Sequence, residues 1–175
     1  MSTRHSDEFQ FDHGTQYFTI RSSGFRNFLN KALMDGIIRP WEARFMAFDG
    51  DNPLEYEKRQ EVVYVGTPSM NSLCRYLARD LEVKCDTDVK NCRYVAEGWF
   101  LSFANGIEEG PFDLLISTIP APQNDDLFAQ DISLREGLEG VQMRGCSTLM
   151  LGFNDPVDID WEGAIVSNSP IGWIG

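Results

Sequence analysis

Apolar residues recur along this chain with two different periods, and the points where the period changes mark its elements. Phe25, Phe28, Leu29, Ala32 and Leu33 fall on one face at helical spacing, with Ser22 or Ser23 available as cap and Gly36 as stop. A second helical face comprises Met70, Leu73, Cys74, Leu77 and Leu81. Thr67-Pro68 is its predicted start, because a threonine oxygen accepts an orphan N–H and proline loses nothing at the first helical position.

Strand patterns lie between and after these helices. Glu8 to Ile20, with Phe9, Phe11, Tyr17 and Phe18 around Gly14, predicts two short strands meeting at a glycine. Arg39-Pro40-Trp41 breaks the first helix, and Trp41 to Phe48 reads as an alternating strand. The charged stretch Asp49 to Glu61 reads as a surface excursion. Glu82 to Cys85, Val89 to Val95 and Trp99 to Ala104 predict a β-meander turned at Glu97-Gly98 and Asn105-Gly106. Phe112 to Thr118 carries three consecutive apolar positions, Leu114-Leu115-Ile116, without alternation, which predicts a strand buried on both faces and ended by Pro120-Ala121-Pro122. Asp125 to Gly140 predicts one or two short helices, and Thr148 to Phe153 and Gly163 to Val166 predict late strands. The class these elements define is α+β.

Composition narrows the function classes. Of 175 residues, 42% are hydrophobic, enough for a buried core, and 27 acidic against 15 basic residues leave a charge of −12. Such a charge opposes binding to nucleic acid or anionic lipid, so neither is an expected partner. No apolar run reaches the roughly 20 residues that span a bilayer, and the N-terminus is polar where a signal peptide is hydrophobic, which predicts a cytoplasmic protein. Cys74, Cys85, Cys92 and Cys146 show no C-x-x-C spacing, and the two histidines, His5 and His13, do not complete a metal set. No metal is expected; the thiols are expected to be reduced and mostly buried. The acidic pairs Glu108-Glu109 and Asp125-Asp126 lie beside turn residues and read as solvated charges, not as a general acid and base.

Two blocks carry more specific information: Phe11-Asp12-His13-Gly14-Thr15-Gln16-Tyr17-Phe18-Thr19 and Tyr64-Val65-Gly66-Thr67-Pro68-Ser69-Met70. Together they resemble the middle of renalase-like FAD-dependent oxidoreductases, the flavin-containing amine oxidase family. In that family a G-x-G-x-x-G unit comes first and closes on a stretch similar to Met1-Ser2-Thr3-Arg4; these 175 residues hold no G-x-G-x-x-G. The resemblance therefore implies an interior piece of a flavoenzyme, inactive by itself and binding no FAD alone, although FAD would serve the full-length parent. It assigns 1–66 to a substrate-side segment, 67–122 to part of the FAD-binding domain with helix, meander and buried strand, and 123–175 to a return to the substrate domain.

The resemblance also implies site residues. Gln16 and Tyr17 would face the flavin ring as catalytic-site residues, an amide suiting a flavin edge and a phenol a flat wall. Thr3, Arg4, Val89, Thr118 and Pro120 would contact the cofactor. Trp41, Arg44 and Met70, with Trp161 and Trp173, are candidates for a substrate cavity, where aromatic walls suit a planar ring and arginine an anionic group. Each has a plainer reading: Phe11, Tyr17 and Phe18 as core, Arg44 as an outward strand residue, Met70 as helix core, Thr118 and Pro120 as strand end and turn. The implied reaction is hydride transfer from an amine or dihydronicotinamide to flavin. The alternative is a cofactor-free binding or structural module of the same shape. Lacking parallel neighbours, the 112–118 strand would leave an apolar edge open to self-association.

Overall fold

The computed structural model describes residues 2–6, 8–54, 61–128 and 132–175. In chain order the elements are β1 (Ser2–His5), β2 (Gln10–His13), β3 (Phe18–Thr19), α1 (Ser23–Met34), β4 (Ile38–Pro40), β5 (Phe45–Asp49), β6 (Asn52–Leu54) and β7 (Val63–Gly66). They continue with α2 (Ser72–Ala78), β8 (Val89–Val95), β9 (Gly98–Phe103), β10 (Glu108–Phe112), α3 (Ala121–Leu127), α4 (Ile132–Leu138), β11 (Gly163–Ser167) and β12 (Trp173–Ile174). Helices and mostly antiparallel sheets make the class α+β. By internal contact the chain forms two units, Met1–Leu81 with Thr148–Gly175, and Glu82–Ser147.

In the first unit, α1 starts and stops where its sequence dictates. The Ser22 side chain accepts from Phe25 N at 3.1 Å. At the other end Gly36, at φ +70°, lets its own N–H reach Leu33 O and Ile37 N reach Ala32 O at 2.9 Å, closing a Schellman motif. The buried stripe is narrower than predicted. Leu29 and Ala32 form the core with Ile38 and Leu73, whereas Phe25 and Phe28 are exposed. Phe28 precedes Leu29 by one residue, about 100° around the helix, which carries it off the core face.

The unit holds three sheets. β1 and β2 pair antiparallel; β3, β7 and β4 form an antiparallel trio; β12, β11, β5 and β6 form a four-stranded sheet in that order. Within the last, β11 lies parallel to β5, Gly163 opposite Phe45 and Ser167 opposite Asp49. The two short strands predicted around Gly14 exist, but each pairs elsewhere: β2 with β1, and β3 with β7. Part of the predicted 49–61 excursion is the strand β6, and 55–60 lies outside the described residues.

Thr67-Pro68 does not start a helix. The stretch 66–71 is a tight turn in which Met70 Sδ accepts Gly66 N–H at 3.2 Å and Ser69 Oγ donates to Asn71 Oδ1 at 2.8 Å, so α2 begins only at Ser72. The Thr67–Pro68 peptide bond is cis. Of the predicted helical face, Met70 precedes the helix and Leu73 is buried, while Cys74, Leu77 and Leu81 are exposed.

The second unit is built on the predicted meander with a shifted membership. β8, β9 and β10 run antiparallel, turned at Gly98 (φ +130°) and Gly106 (φ +82°). Ile107 N donates to Asn105 Oδ1 at 3.0 Å, an Asx turn that sets the second reversal. Glu82 to Cys85 is not a strand; the third strand is Glu108–Phe112. Glu108 and Glu109 are thus strand residues with partners, Arg93 at 2.7 Å and Lys84 respectively, and not free charges. Two short helices, α3 and α4, follow; α3 begins at Ala121, ahead of the expected Asp125–Gly140 and within the expected Pro120–Pro122 turn, and 129–131 lies outside the described residues.

The largest corrections concern the two apolar runs. Beyond Phe112, the run 113–118 joins no sheet, and Leu114 and Ile116 are 73% and 74% exposed. Thr148 to Phe153 likewise forms no strand, with Leu149, Leu151 and Phe153 exposed. A continuous apolar run signals a preference for burial on both faces but names no neighbouring strand, and neither run has one here. Among the described residues no helix is long and apolar enough to cross a membrane.

Candidate functional site

The first block of the resemblance is anchored by Asp12. Its Oδ1 accepts from Thr3 Oγ1 at 2.5 Å and its Oδ2 from Met70 N at 2.9 Å, so β1, β2 and the 66–71 turn meet at one carboxylate. Arg4 lies on β1, exposed. Next to Asp12, His13 Nε2 is buried without a hydrogen-bond partner among the described residues. Gln16 is exposed in the loop between β2 and β3.

Tyr17 is half-buried in a cluster of rings. Its centroid lies 6.3 Å from Trp41, 6.0 Å from Phe45 and 5.7 Å from Trp173, and Trp41 meets Phe45 edge-on at 5.2 Å. The cluster follows from the parallel pairing of β5 and β11. That pairing sets Phe45 opposite Gly163, and β12 returns antiparallel to bring Trp173 beside Ile165. A Cβ on Gly163 would stand 2.9 Å from the Phe45 ring, so the missing side chain is what lets the rings close up. Trp161 is not part of this group; it packs edge-on against Phe48 at 6.0 Å.

Arg44 and Met70 each have a structural partner. The Arg44 backbone N–H donates to Glu162 Oε2 at 2.6 Å and its guanidinium approaches Oε1 at 3.4 Å, which commits the arginine to Glu162. The Arg44 backbone N–H first, and the guanidinium after it, hold the Glu162 carboxyl below the usual carboxylate value. Met70 is 2% exposed, a core residue whose sulfur caps Gly66 N–H.

In the second unit, Val89 and Thr118 line the same cavity of about 580 Å³. Its other walls include Cys92, Leu101, Ile116 and Phe128, with Asp88, Lys90, Ser117, Gln123 and Asp126 among the polar members. Burial pushes the Cys92 thiol up from its ordinary value, which keeps it neutral and poorly nucleophilic. Pro120 is at the N-cap of α3 and lies outside the cavity walls. The turn is held by Asn124, 8% exposed, a residue that the sequence pattern did not single out. Asn124 Oδ1 accepts from Ser117 Oγ at 2.6 Å, and Nδ2 donates to Ile119 O at 3.1 Å and to Pro120 O at 3.3 Å.

Cys74, Cys85 and Cys146 are exposed and only Cys92 is buried, contrary to the expectation of mostly buried thiols; none of the four is in a disulfide among the described residues. Among the described residues no group of three His, Cys, Asp or Glu side chains could hold a metal ion. No protein-family model matches the chain.

Proposed function

We propose that these residues belong to a renalase-like FAD-dependent oxidoreductase of the cytosol, oxidising a small amine or dihydronicotinamide by hydride transfer. The observation that carries this reading is the cavity shared by Val89 and Thr118. These two residues come from separate elements, the resemblance assigns both to the cofactor, and the chain packs them around one opening of about 580 Å³. That volume falls within the range of small-molecule sites, and its lining, aliphatic on some walls and polar or charged on others, suits a ligand with both apolar and polar parts. In the first unit, taken by itself, His13 Nε2 is buried without a partner among the described residues, a polar atom left to be satisfied.

Bound flavin would supply the two-electron chemistry; the protein's share is orientation and exclusion of water. Tyr17, fixed by three neighbouring rings, presents a flat wall of set orientation. Gln16, exposed on the adjoining loop, offers an amide. No G-x-G-x-x-G lies within the 175 residues, so the chain by itself is proposed to lack that phosphate cradle and to be inactive.

That same missing motif favours a second reading, a cofactor-free binding module. One measurement separates the two: the flavin content of the complete reading frame that contains these residues. One FAD per chain, released on heating with its characteristic absorbance, supports the oxidoreductase. A colourless preparation that takes up no added FAD overturns it in favour of the module.

A further inference from the structure

We propose that Asn105 is a site of spontaneous covalent modification, losing its side-chain amide as ammonia through attack by the Gly106 backbone nitrogen. The chain holds three steps from an Asp or Asn to a glycine: Asp35-Gly36, Asp49-Gly50 and Asn105-Gly106. Glycine matters there because it brings no Cβ against the side chain that its nitrogen must approach. The structure separates the three. Asp35 Oδ2 accepts from Tyr76 Oη at 2.8 Å, and Asp49 Oδ1 accepts from Asn168 Nδ2 at 2.5 Å. Both are carboxylates, which are poor electrophiles, and both are tied to residues distant in the chain. Asn105 is the one asparagine followed by glycine, and its amide oxygen is held within its own turn.

Asn105 and Gly106 are exposed at the tip of the β9–β10 hairpin. The loop has residues 104–106: Phe103 N donates to Ile107 O and Gly106 N to Phe103 O, each at 2.9 Å, with Gly106 at φ +82°. A Cβ on Gly106 would meet nothing within 4 Å, so the space around the attacking residue is open. Ile107 N donates to Asn105 Oδ1 at 3.0 Å. That bond draws electron density from the amide carbon and is aimed at the oxygen on which negative charge develops during attack. One bond opposes the reaction, since the Gly106 N–H is spent on Phe103 O and must be released first. Release needs only local fraying of a hairpin tip, which costs far less than unfolding.

In the reaction the bond from Gly106 N to Asn105 Cγ forms, the Cγ–Nδ2 bond breaks, and the Gly106 amide proton leaves with the ammonia. Water then adds to either carbonyl of the cyclic imide. The product is aspartate, or isoaspartate with one extra methylene in the main chain, and either adds one negative charge to the −12 of the chain. Isoaspartate lengthens the loop and loosens the Phe103–Ile107 closure, together with Ala104 N, which donates to Asp88 O at 2.9 Å.

The test is incubation of the folded 175-residue chain at mildly alkaline pH beside the same chain unfolded in guanidinium chloride. Anion exchange counts the added charge, and peptide mass spectrometry with an isoaspartate methylation assay locates it. The expected result is conversion at Asn105 ahead of every other asparagine, slower in the folded chain than in the unfolded one by less than about a hundredfold. A reaction that waited for the whole chain to unfold would be slowed at least about a thousandfold. Asn105→Gln, whose longer side chain sets the carbonyl carbon one atom further away, is expected to suppress the added charge with an unchanged circular dichroism spectrum. Slowing by a hundredfold or more, another asparagine converting first, or an undiminished rate of charge gain in Asn105→Gln overturns the proposal.

Discussion

Asp12 holds Met70 across the first unit, its Oδ2 accepting the Met70 backbone N–H at 2.9 Å while Oδ1 takes Thr3 Oγ1. Met70 is 2% exposed, so its N–H has little access to water if the carboxylate is removed. Asp12→Ala is expected to cost about 1–3 kcal/mol, the penalty of a buried unpaired donor. Asp12→Asn keeps one carbonyl acceptor and is expected to cost less. Urea unfolding monitored by tryptophan fluorescence checks both, and equal losses in the two variants would deny the Met70 contact its role.

Gly66 and Gly24 make a contrasting pair. A Cβ on Gly66 would stand 2.5 Å from Ser69 O and 2.9 Å from Met70 Cα, backbone atoms that cannot step aside without opening the 66–71 turn. Gly24, in the first turn of α1, has open space around the same atom. Gly66→Ala is expected to destabilise by about 1–3 kcal/mol, and Gly24→Ala to stabilise by roughly 0.4–1 kcal/mol through the unfolded chain. Thermal melts of the two variants should therefore move in opposite directions.

Leu29 and Phe28 test the helix face in the same way, and show how far local pattern reaches. Leu29 is fully buried and Phe28 is 64% exposed. Leu29→Ala should cost about 2–5 kcal/mol, and Phe28→Ala within about 0.5 kcal/mol of nothing. Ser22 and Gly36 were legible because a cap acts on its own few neighbours, and the glycine turns of the meander for the same reason. Which of five apolar helix residues became buried was not, since that depends on Ile38 and Leu73 arriving from elsewhere in the chain.

The candidate site follows the same division. Tyr17, Trp41 and Trp173 stood out as separate aromatic residues, but their meeting requires the parallel pairing of β5 with β11, a contact no local period encodes. Phe45 was visible as a strand residue and not as a wall of the ring cluster. Glu162 had no signal at all: its role exists only because that pairing brings it to Arg44.

Stability is expected to fall with acid through two carboxylates. The Arg93 guanidinium holds Glu108, and the Arg44 backbone N–H chiefly holds Glu162, below the ordinary value of 4.5. A depressed folded value means the unfolded chain binds the proton first. The contribution is therefore complete above pH 4.5 and is lost as pH falls through the folded values. The melting temperature should decline below pH 4.5, and Glu162→Gln should make that decline shallower while lowering the plateau at neutral pH. A pH profile of unchanged steepness in Glu162→Gln would remove this residue from the acid response.

Asn124 links the fold of the second unit to its cavity. Three hydrogen bonds from one buried amide fix Ser117, Ile119 and Pro120, and Thr118 sits within that triple clamp as a cavity wall. Asn124→Ala leaves the Ile119 and Pro120 carbonyls and the Ser117 hydroxyl with one fewer partner each. The expected loss is about 1–3 kcal/mol of unfolding free energy. Asn124→Asp keeps the acceptor for Ser117 but removes both donors, so it should release the carbonyls and retain the hydroxyl contact. If the cavity holds the cofactor, FAD affinity of the complete polypeptide should fall in both variants. Val89→Trp, which narrows the opening and leaves Asn124 in place, should lower that affinity with no comparable loss of stability. Loss of stability in Asn124→Ala with unchanged FAD affinity in all three variants would leave the clamp a purely structural device and move the cofactor away from this cavity.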